Sequence, residues 1–221
     1  MSENTEKKTS KNSNYLSAKE SRRISRENRR ITTAMEKKYQ RKKVPESEYL
    51  TQMRDPKNVV EFDDLHTYFF TDTGTVKAVD GVSFDVPQGV TVGVVGESGC
   101  GKSVTSLSLM QLLQRPQGQI VSGQIRLNLG EDGKAYDVAK MPMYAMEKIR
   151  GNKLSMIFQE PMTSLNPVYT IGYQMVEMLQ THQKISKHDA MQKSIEMLEK
   201  VGIPSPEQRI KEYPHQLSGG M

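Results

Sequence analysis

Cysteine is almost absent from this 221-residue sequence, which carries Cys100 and no other. A lone thiol forms no internal disulfide, so a small secreted fold stapled by bridges is excluded. Tryptophan is missing, and aromatic residues make up 6% of the chain. No apolar run approaches the roughly 18–20 residues of a membrane span. The opening MSENTEKKTSKNS has no apolar core of the kind a secretory signal carries. A soluble or peripheral protein is expected. Glycine is absent from residues 1–58, while all 16 glycines fall in 59–221.

Charge follows the same division. Residues 1–58 hold 16 Lys and Arg against 8 Asp and Glu, a net +8. Residues 59–221 hold 15 against 18, a net −3, so the overall +5 belongs to the N-terminal stretch. That stretch has 13 of its 58 residues in the hydrophobic set, against 65 of 163 in the remainder. A charged extension, 1–58, therefore precedes a body, 59–221, that is able to bury a core.

Within the extension, Ser17 and Glu20 have capping-box spacing. Ile24, Ile31, Met35 and Tyr39 make a narrow helical stripe among Arg22, Arg23, Arg26, Arg29 and Arg30. Three readings stay open: a basic amphipathic helix on an anionic membrane, a nucleic-acid-binding arm, or a solvated and partly helical extension. Four anchors without Trp or Phe favour the last.

In the body, Val59–Phe62, Leu65–Phe70, Val76–Val79 and Val82–Val86 read as strands. Turns at 71–75 and 87–89 separate them from Val90–Val95, a near-continuous apolar run typical of a strand buried on both faces. That run enters Gly96-Glu97-Ser98-Gly99-Cys100-Gly101-Lys102-Ser103, and Val104–Leu113 reads as a helix. The octet matches G-x-x-x-x-G-K-[ST], the phosphate-binding loop. Its glycines allow the backbone to curl around phosphate oxygens, and its amides meet the positive end of the following helix. Lys102 reaches the β- and γ-phosphates, and Ser103 offers a hydroxyl to Mg²⁺. Cys100 is either a reactive thiol near a helix N-terminus or a small side chain whose amide does the binding; the second reading is favoured.

Farther on, 119–129 reads as extended around Gly123, 141–149 as a short helix, and Leu154–Phe158 as a second buried strand ending at Gln159. A turn-rich link, 160–167, follows. Ile171, Met175, Met178, Leu179 and His182 share one helical face, as do Met191, Ile195, Leu198 and Val201. These faces suit a helical core better than a cofactor box. His182, His188 and His215 lack metal-ligand spacing. The chain ends in Leu217-Ser218-Gly219-Gly220-Met221.

The order of phosphate loop, strand ending in Gln159, helical insert and Leu217-Ser218-Gly219-Gly220 resembles the ATP-binding cassette (ABC) ATPases. KAVDGVSF (77–84), FQEPMTSLNP (158–167) and YPHQLSGGM (213–221) resemble the oligopeptide/dipeptide importer branch. The resemblance covers about 59–221 and none of 1–58. It implies an α/β fold of the ABC type of P-loop NTPase. The parts expected are an incomplete RecA-like core, an antiparallel β subdomain and a helical subdomain, with 159–216 holding the Q-loop and that helical part. The extension 1–58 is expected to be disordered or partly helical.

The resemblance also implies roles. ATP and Mg²⁺ are the expected cofactors, with Gly96, Glu97, Ser98, Gly99, Cys100, Gly101, Lys102, Ser103 and Val104 around the phosphates. An aromatic upstream of the loop stacks on adenine in this family. Here that is Phe69, with Tyr68 and Phe70 as competitors, or all three are strand core. Gln159 matches the glutamine that touches Mg²⁺ and the attacking water; the plainer alternative is a loop glutamine bonding backbone. Ser218, Gly219 and Gly220 match the signature loop that clamps the γ-phosphate held by a partner's P-loop, although LSGG alone is also an ordinary turn. Expected partners are a second ABC ATPase subunit in a homo- or heterodimer, two membrane-spanning permease subunits and, indirectly, an extracytoplasmic peptide-binding protein. No nucleic acid is expected. The expected place is peripheral, on the cytoplasmic face of the cell membrane.

The family pattern runs on past the point where Met221 ends this sequence: a helix, a strand ending in a Mg²⁺-organising Asp, a catalytic Glu and a later switch His. These segments are not in the sequence, so no catalytic residue is expected within it and nucleotide binding is the most it should do. Two alternatives stand beside the importer reading: a non-catalytic, truncated ATP-binding fragment, and a non-transport ABC ATPase. The importer-like stretches count against the latter.

Overall fold

The computed structural model describes residues 16–130, 134–159 and 164–221. The expectations for residues 1–15, and for the first part of the link at 160–163, lie outside the described residues. The chain divides into two compact units, 1–143 and 144–221.

The first unit is built on an antiparallel five-stranded sheet. Its strands are β1 (Leu50–Thr51), β2 (Asn58–Thr71), β3 (Gly74–Pro87), β4 (Gly118–Asn128) and β5 (Ala135–Asp137), in the order β1-β5-β4-β2-β3. The two short strands expected at 59–62 and 65–70 form one 14-residue strand. A register shift between Phe62 and Leu65 replaces the break, with Asp64 at φ 49°. The extra residue changes the alternation, which keeps Phe62, Leu65 and Thr67 all buried. In β3 the expected break at Asp80-Gly81 is likewise a bulge, and Gly81 takes φ 81°. Phe62 stacks on Phe84 at 4.4 Å, and Ile125 and Leu127 of β4 complete the core around them.

Two helices of this unit flank the sheet. α1 (Ala18–Tyr39) starts at the expected capping box, with Ser17 accepting from the Glu20 amide. α2 (Lys102–Leu109) touches β2 through a buried hydroxyl pair, Thr67 Oγ1 and Ser108 Oγ, 2.9 Å apart. On the other side, Glu36 of α1 accepts from Gln119 Nε2 at 2.6 Å and from Arg115 at 2.7 Å. Gln119 sits opposite Tyr68 and Ile120 opposite Thr67 in the β2–β4 ladder. Alternation along the strand therefore puts α1 and α2 on opposite faces.

The docking of α1 differs from the solvated extension expected. Asn28 Nδ2 donates to the Thr71 carbonyl at 2.8 Å, and Ser25 Oγ donates to Asp72 at 2.8 Å. The Arg115 guanidinium lies 3.5 Å over the Tyr39 ring. The buried residues of the helix are Asn28 and Thr32, whereas Ile31 of the expected apolar stripe faces outward. A weak apolar stripe understates the attachment because the ties are polar: an amide, a hydroxyl and an ion pair at the hairpin tip and at residues 115–119.

The apolar run 90–95 is not a strand. Among the described residues no backbone group pairs with it, and Val95 is 92% exposed. The run 154–158 is also not a strand. Leu154 makes one parallel bridge to Arg150, and Ile157 is 94% exposed. A parallel strand becomes regular and buried only when neighbours on both sides complete its ladder. Apolar continuity records that need, and the described residues do not meet it.

The second unit is helical: α3 (Met143–Ile149, its first residue at the unit boundary), α4 (Ile171–His182), α5 (Lys187–Lys200) and α6 (Pro206–Arg209). Thr170 caps α4 through the Tyr173 amide, and Ser186 caps α5 through the Asp189 amide. Gly172 permits the close packing. A Cβ there would stand 2.7 Å from both Ile210 Cγ1 and its carbonyl oxygen. Of the two expected apolar faces, Ile171 is buried, Met175, Leu179, His182, Met191, Ile195 and Leu198 are half-buried, and Met178 and Val201 are exposed. Val176, Ala190 and Ser194, outside those faces, are buried instead, and Met197 is half exposed.

Candidate nucleotide site

The glycine-rich loop connects the end of the 90–95 run to α2. Gly101 is the residue before the helix and has φ 95°, a left-handed conformation that L side chains rarely adopt. It also lies against the Ala78 carbonyl of β3, with no room for a Cβ between them. The loop therefore presses on the sheet at this point, which sets where α2 begins.

Lys102 folds back over the loop. Its Nζ donates to the carbonyl oxygens of Gly96 at 2.8 Å and Glu97 at 2.7 Å. Its third contact is Cys100 Sγ at 3.5 Å, a weak acceptor. Gly96 leaves space for that sulfur, since a Cβ there would stand 2.7 Å from it. Cys100 is thus a loop side chain packed between a glycine and an ammonium. The amides of Lys102, Ser103 and Val104 open α2, where first-turn N–H groups have no partner within the helix. Ser103 is exposed beside them, while Thr105 is committed to the fold, donating to the Gly101 carbonyl at 3.1 Å. An ammonium, a run of amides and a helix N-terminus thus converge on one concave loop, an arrangement that binds an anion.

Phe69 belongs to the same unit. It shares the Thr67 face of β2 and packs against Gly118, where a Cβ would stand 2.9 Å from its ring. Tyr68 points the opposite way and is engaged: its hydroxyl donates to Asp80, and Lys77 Nζ lies 5.3 Å over its ring. Asp80 also accepts from His66 at 2.8 Å. Hydrogen bonds to Asp80 and His66, with Lys77 over the ring, make Tyr68 a structural residue. That cluster escapes sequence reasoning, because the bulges bring 64, 66, 77 and 80 together.

The remaining expected site residues lie in the second unit. Gln159 is exposed at the end of the 154–158 segment. Ser218, Gly219 and Gly220 form a turn closed by the Met221 amide donating to the Ser218 carbonyl at 2.9 Å. Residues 96–104 and Phe69 fall in one unit, and Gln159 and 218–220 in the other. The second unit also carries a groove of about 900 Å³ lined by Leu165, Tyr169, Met175, Met178, Leu179 and Met197.

The family model described as ABC transporter matches residues 79–221. This chain belongs to the ABC transporter family. Among curated relatives, the Oligopeptide transport ATP-binding protein AppD of Bacillus subtilis (strain 168) is 51% identical over 163 residues, covering 74% of this chain and 48% of that protein. The Dipeptide transport ATP-binding protein DppD of the same organism is 48% identical over 163 residues, covering 74% and 47%. The chain spans about half the length of the curated relatives it matches. Among solved structures, the dimeric ABC transporter cassette MJ0796 is similar with a TM-score of 0.61 at 20% identity, covering 73% of this chain and 64% of that one. The fold is accordingly that of an ABC ATPase, α/β with an antiparallel sheet. The loop at 96–103 lies inside the matched span, as do the importer-like stretches 158–167 and 213–221 and all but the first two residues of 77–84.

Proposed function

We propose that this chain is the ATP-binding portion of a peptide-importer ATPase subunit. The observation that carries the reading is Lys102, held over the glycine loop at the N-terminus of α2. Two of its three N–H donors tie the loop together, and the third meets only a thiol. A phosphate oxygen is a far stronger acceptor than that sulfur, so triphosphate binding improves this contact without dismantling the other two. The amides of Gly99 to Val104 take the remaining phosphate oxygens, and Ser103 takes Mg²⁺, which supplies charge neutralisation between the phosphates. Phe69 stacks on adenine in this reading.

Gln159 is proposed as a second Mg²⁺-facing residue, and Ser218, Gly219 and Gly220 as the clamp on a nucleotide held by a partner ATPase subunit. Residues 59–221 are the nucleotide-binding domain, 159–216 its Q-loop and helical part, and 1–58 an extension. Two permease subunits are the proposed membrane partners, with a peptide-binding protein acting through them, and the subunit sits peripherally on the cytoplasmic face. Half-exposed Met178 and Met197 in the groove of the second unit suit a helical partner surface, since methionine adapts to irregular apolar contacts. None of the residues assigned here acts as a general base; the proposal for this span is nucleotide capture.

Titration of the chain with a fluorescent ATP analogue and Mg²⁺ tests this reading. Saturable binding is expected in the parent, with about tenfold or greater weakening in Lys102→Ala. Equal binding by Lys102→Ala would remove the assignment.

A further inference from the structure

We propose that α1 presents a basic ridge that binds an anionic lipid surface by charge alone, with its side-chain ties to the sheet kept intact. The docked face of the helix carries Ser25, Asn28, Thr32 and Glu36, with Ile24, Met35 and Tyr39 half-buried. The opposite face carries Lys19, Arg23, Arg26, Arg30 and Lys37, all exposed. At 100° per residue these five lie within about 60° of arc, along about 27 Å of helix. No acidic residue falls inside that arc. On its flank, exposed Glu27 lies about 40° and Glu20 about 60° beyond the arc, and Glu20 is held by the Ser17 cap. Among the described residues none of the five cations is in an ion pair, in contrast to Arg41 with Glu48 and Arg115 with Glu36.

The chemistry of this face selects its partner. Its cations form a straight line on a convex rod backed by a sheet, so all five can meet a flat surface together. The face has no aromatic side chain to stack on bases, and its central Thr33 and Ala34 are too small to wedge between lipids. Ile24, Met35 and Tyr39 of the apolar stripe are turned toward the sheet, which leaves Ile31 as its exposed member, off the ridge and too little to anchor by insertion. Anionic headgroups are the complementary surface, with attraction of about fivefold per Lys or Arg and strong dependence on salt.

Co-sedimentation of the full 221-residue chain with lipid vesicles, without nucleotide, tests the proposal, and its outcome is independent of ATP binding. Vesicles of phosphatidylcholine with about a quarter phosphatidylglycerol should retain the chain, and pure phosphatidylcholine should not. Binding should be lost in about 0.5 M NaCl, where the Debye length is roughly 4 Å. The triple variant Arg23→Gln, Arg26→Gln, Arg30→Gln should bind about a hundredfold more weakly while keeping its helical circular dichroism. Lys57→Gln, away from the helix, should bind as the parent does. Equal retention on neutral vesicles, or unchanged retention of the folded triple variant, would overturn the proposal. So would loss of duplex-DNA binding in that variant with vesicle binding preserved.

Discussion

Gly101 and Ala78 meet with no room for a Cβ between the glycine and the alanine carbonyl. This contact joins the phosphate loop to strand β3, and it makes the loop's position a property of the sheet. Gly99 offers a control. It also has a positive φ, 83°, but a Cβ there would meet nothing within 4 Å. Gly101→Ala combines backbone strain with a clash, so a loss of about 2–4 kcal/mol is expected, against about 1 kcal/mol for Gly99→Ala. Urea unfolding of the two variants checks this, and equal losses would show that the Ala78 contact does not limit the loop.

Glu36 links α1 to the body. Burial of its carboxyl would raise its pKa, but hydrogen bonds from Gln119 and Arg115 and the charge of Arg115 outweigh that, leaving it below its ordinary 4.5. A depressed carboxylate contributes stability above its unfolded pKa, and that contribution is lost as pH falls through the folded value. Glu36→Ala removes the carboxylate acceptor of Gln119, which is 2% exposed and keeps the Pro116 carbonyl, and of Arg115, which keeps Gln119 Oε1. A loss of about 1–3 kcal/mol near neutral pH is expected, shrinking below about pH 4. Urea unfolding at both pH values is the measurement; a deficit that grows in acid would contradict the assigned charge state.

His66 and Asp80 give the outer face of the β2–β3 hairpin its own pH window. Hydrogen bonds from Tyr68, His66 and Lys77 hold the Asp80 carboxyl down to about 2. The hydrogen bond to Asp80, with the bond and charge of Asp64, raises the His66 imidazole above 6.5 against the opposing effect of burial. The Asp80 contribution is present above its ordinary 3.8 and fades as pH falls toward about 2. The His66 contribution is full below 6.5 and fades as pH rises past its raised value. His66→Gln should therefore lower the thermal midpoint more at about pH 5.5 than at about pH 8.5. A deficit independent of pH would mean that His66 acts by packing rather than charge.

Several parts of this protein were legible before its structure. Ser17 and Glu20 announced the start of α1, and the spacing Gly96 to Ser103 marked the loop. Each of these is decided within a few residues, by a side chain bonding a nearby amide or a glycine allowing a turn. The runs 90–95 and 154–158 misled for a related reason: their apolar character is local, but a strand needs a neighbour's backbone, which no residue within the run can provide.

The sequence by itself determined the glycine-rich loop, the capping box of α1 and the charge division between 1–58 and the rest. These are short-range properties, carried by residue type and spacing. Only the tertiary structure decided that the basic extension holds a helix docked on the sheet, and which of its faces is left to solvent. Asn28 and Glu36 look like ordinary surface residues until Thr71, Arg115 and Gln119, 43 to 83 positions away, come within hydrogen-bond distance. Composition can count the arginines of α1. Only long-range packing, by fixing the helix's rotation, lines five cations along one exposed ridge.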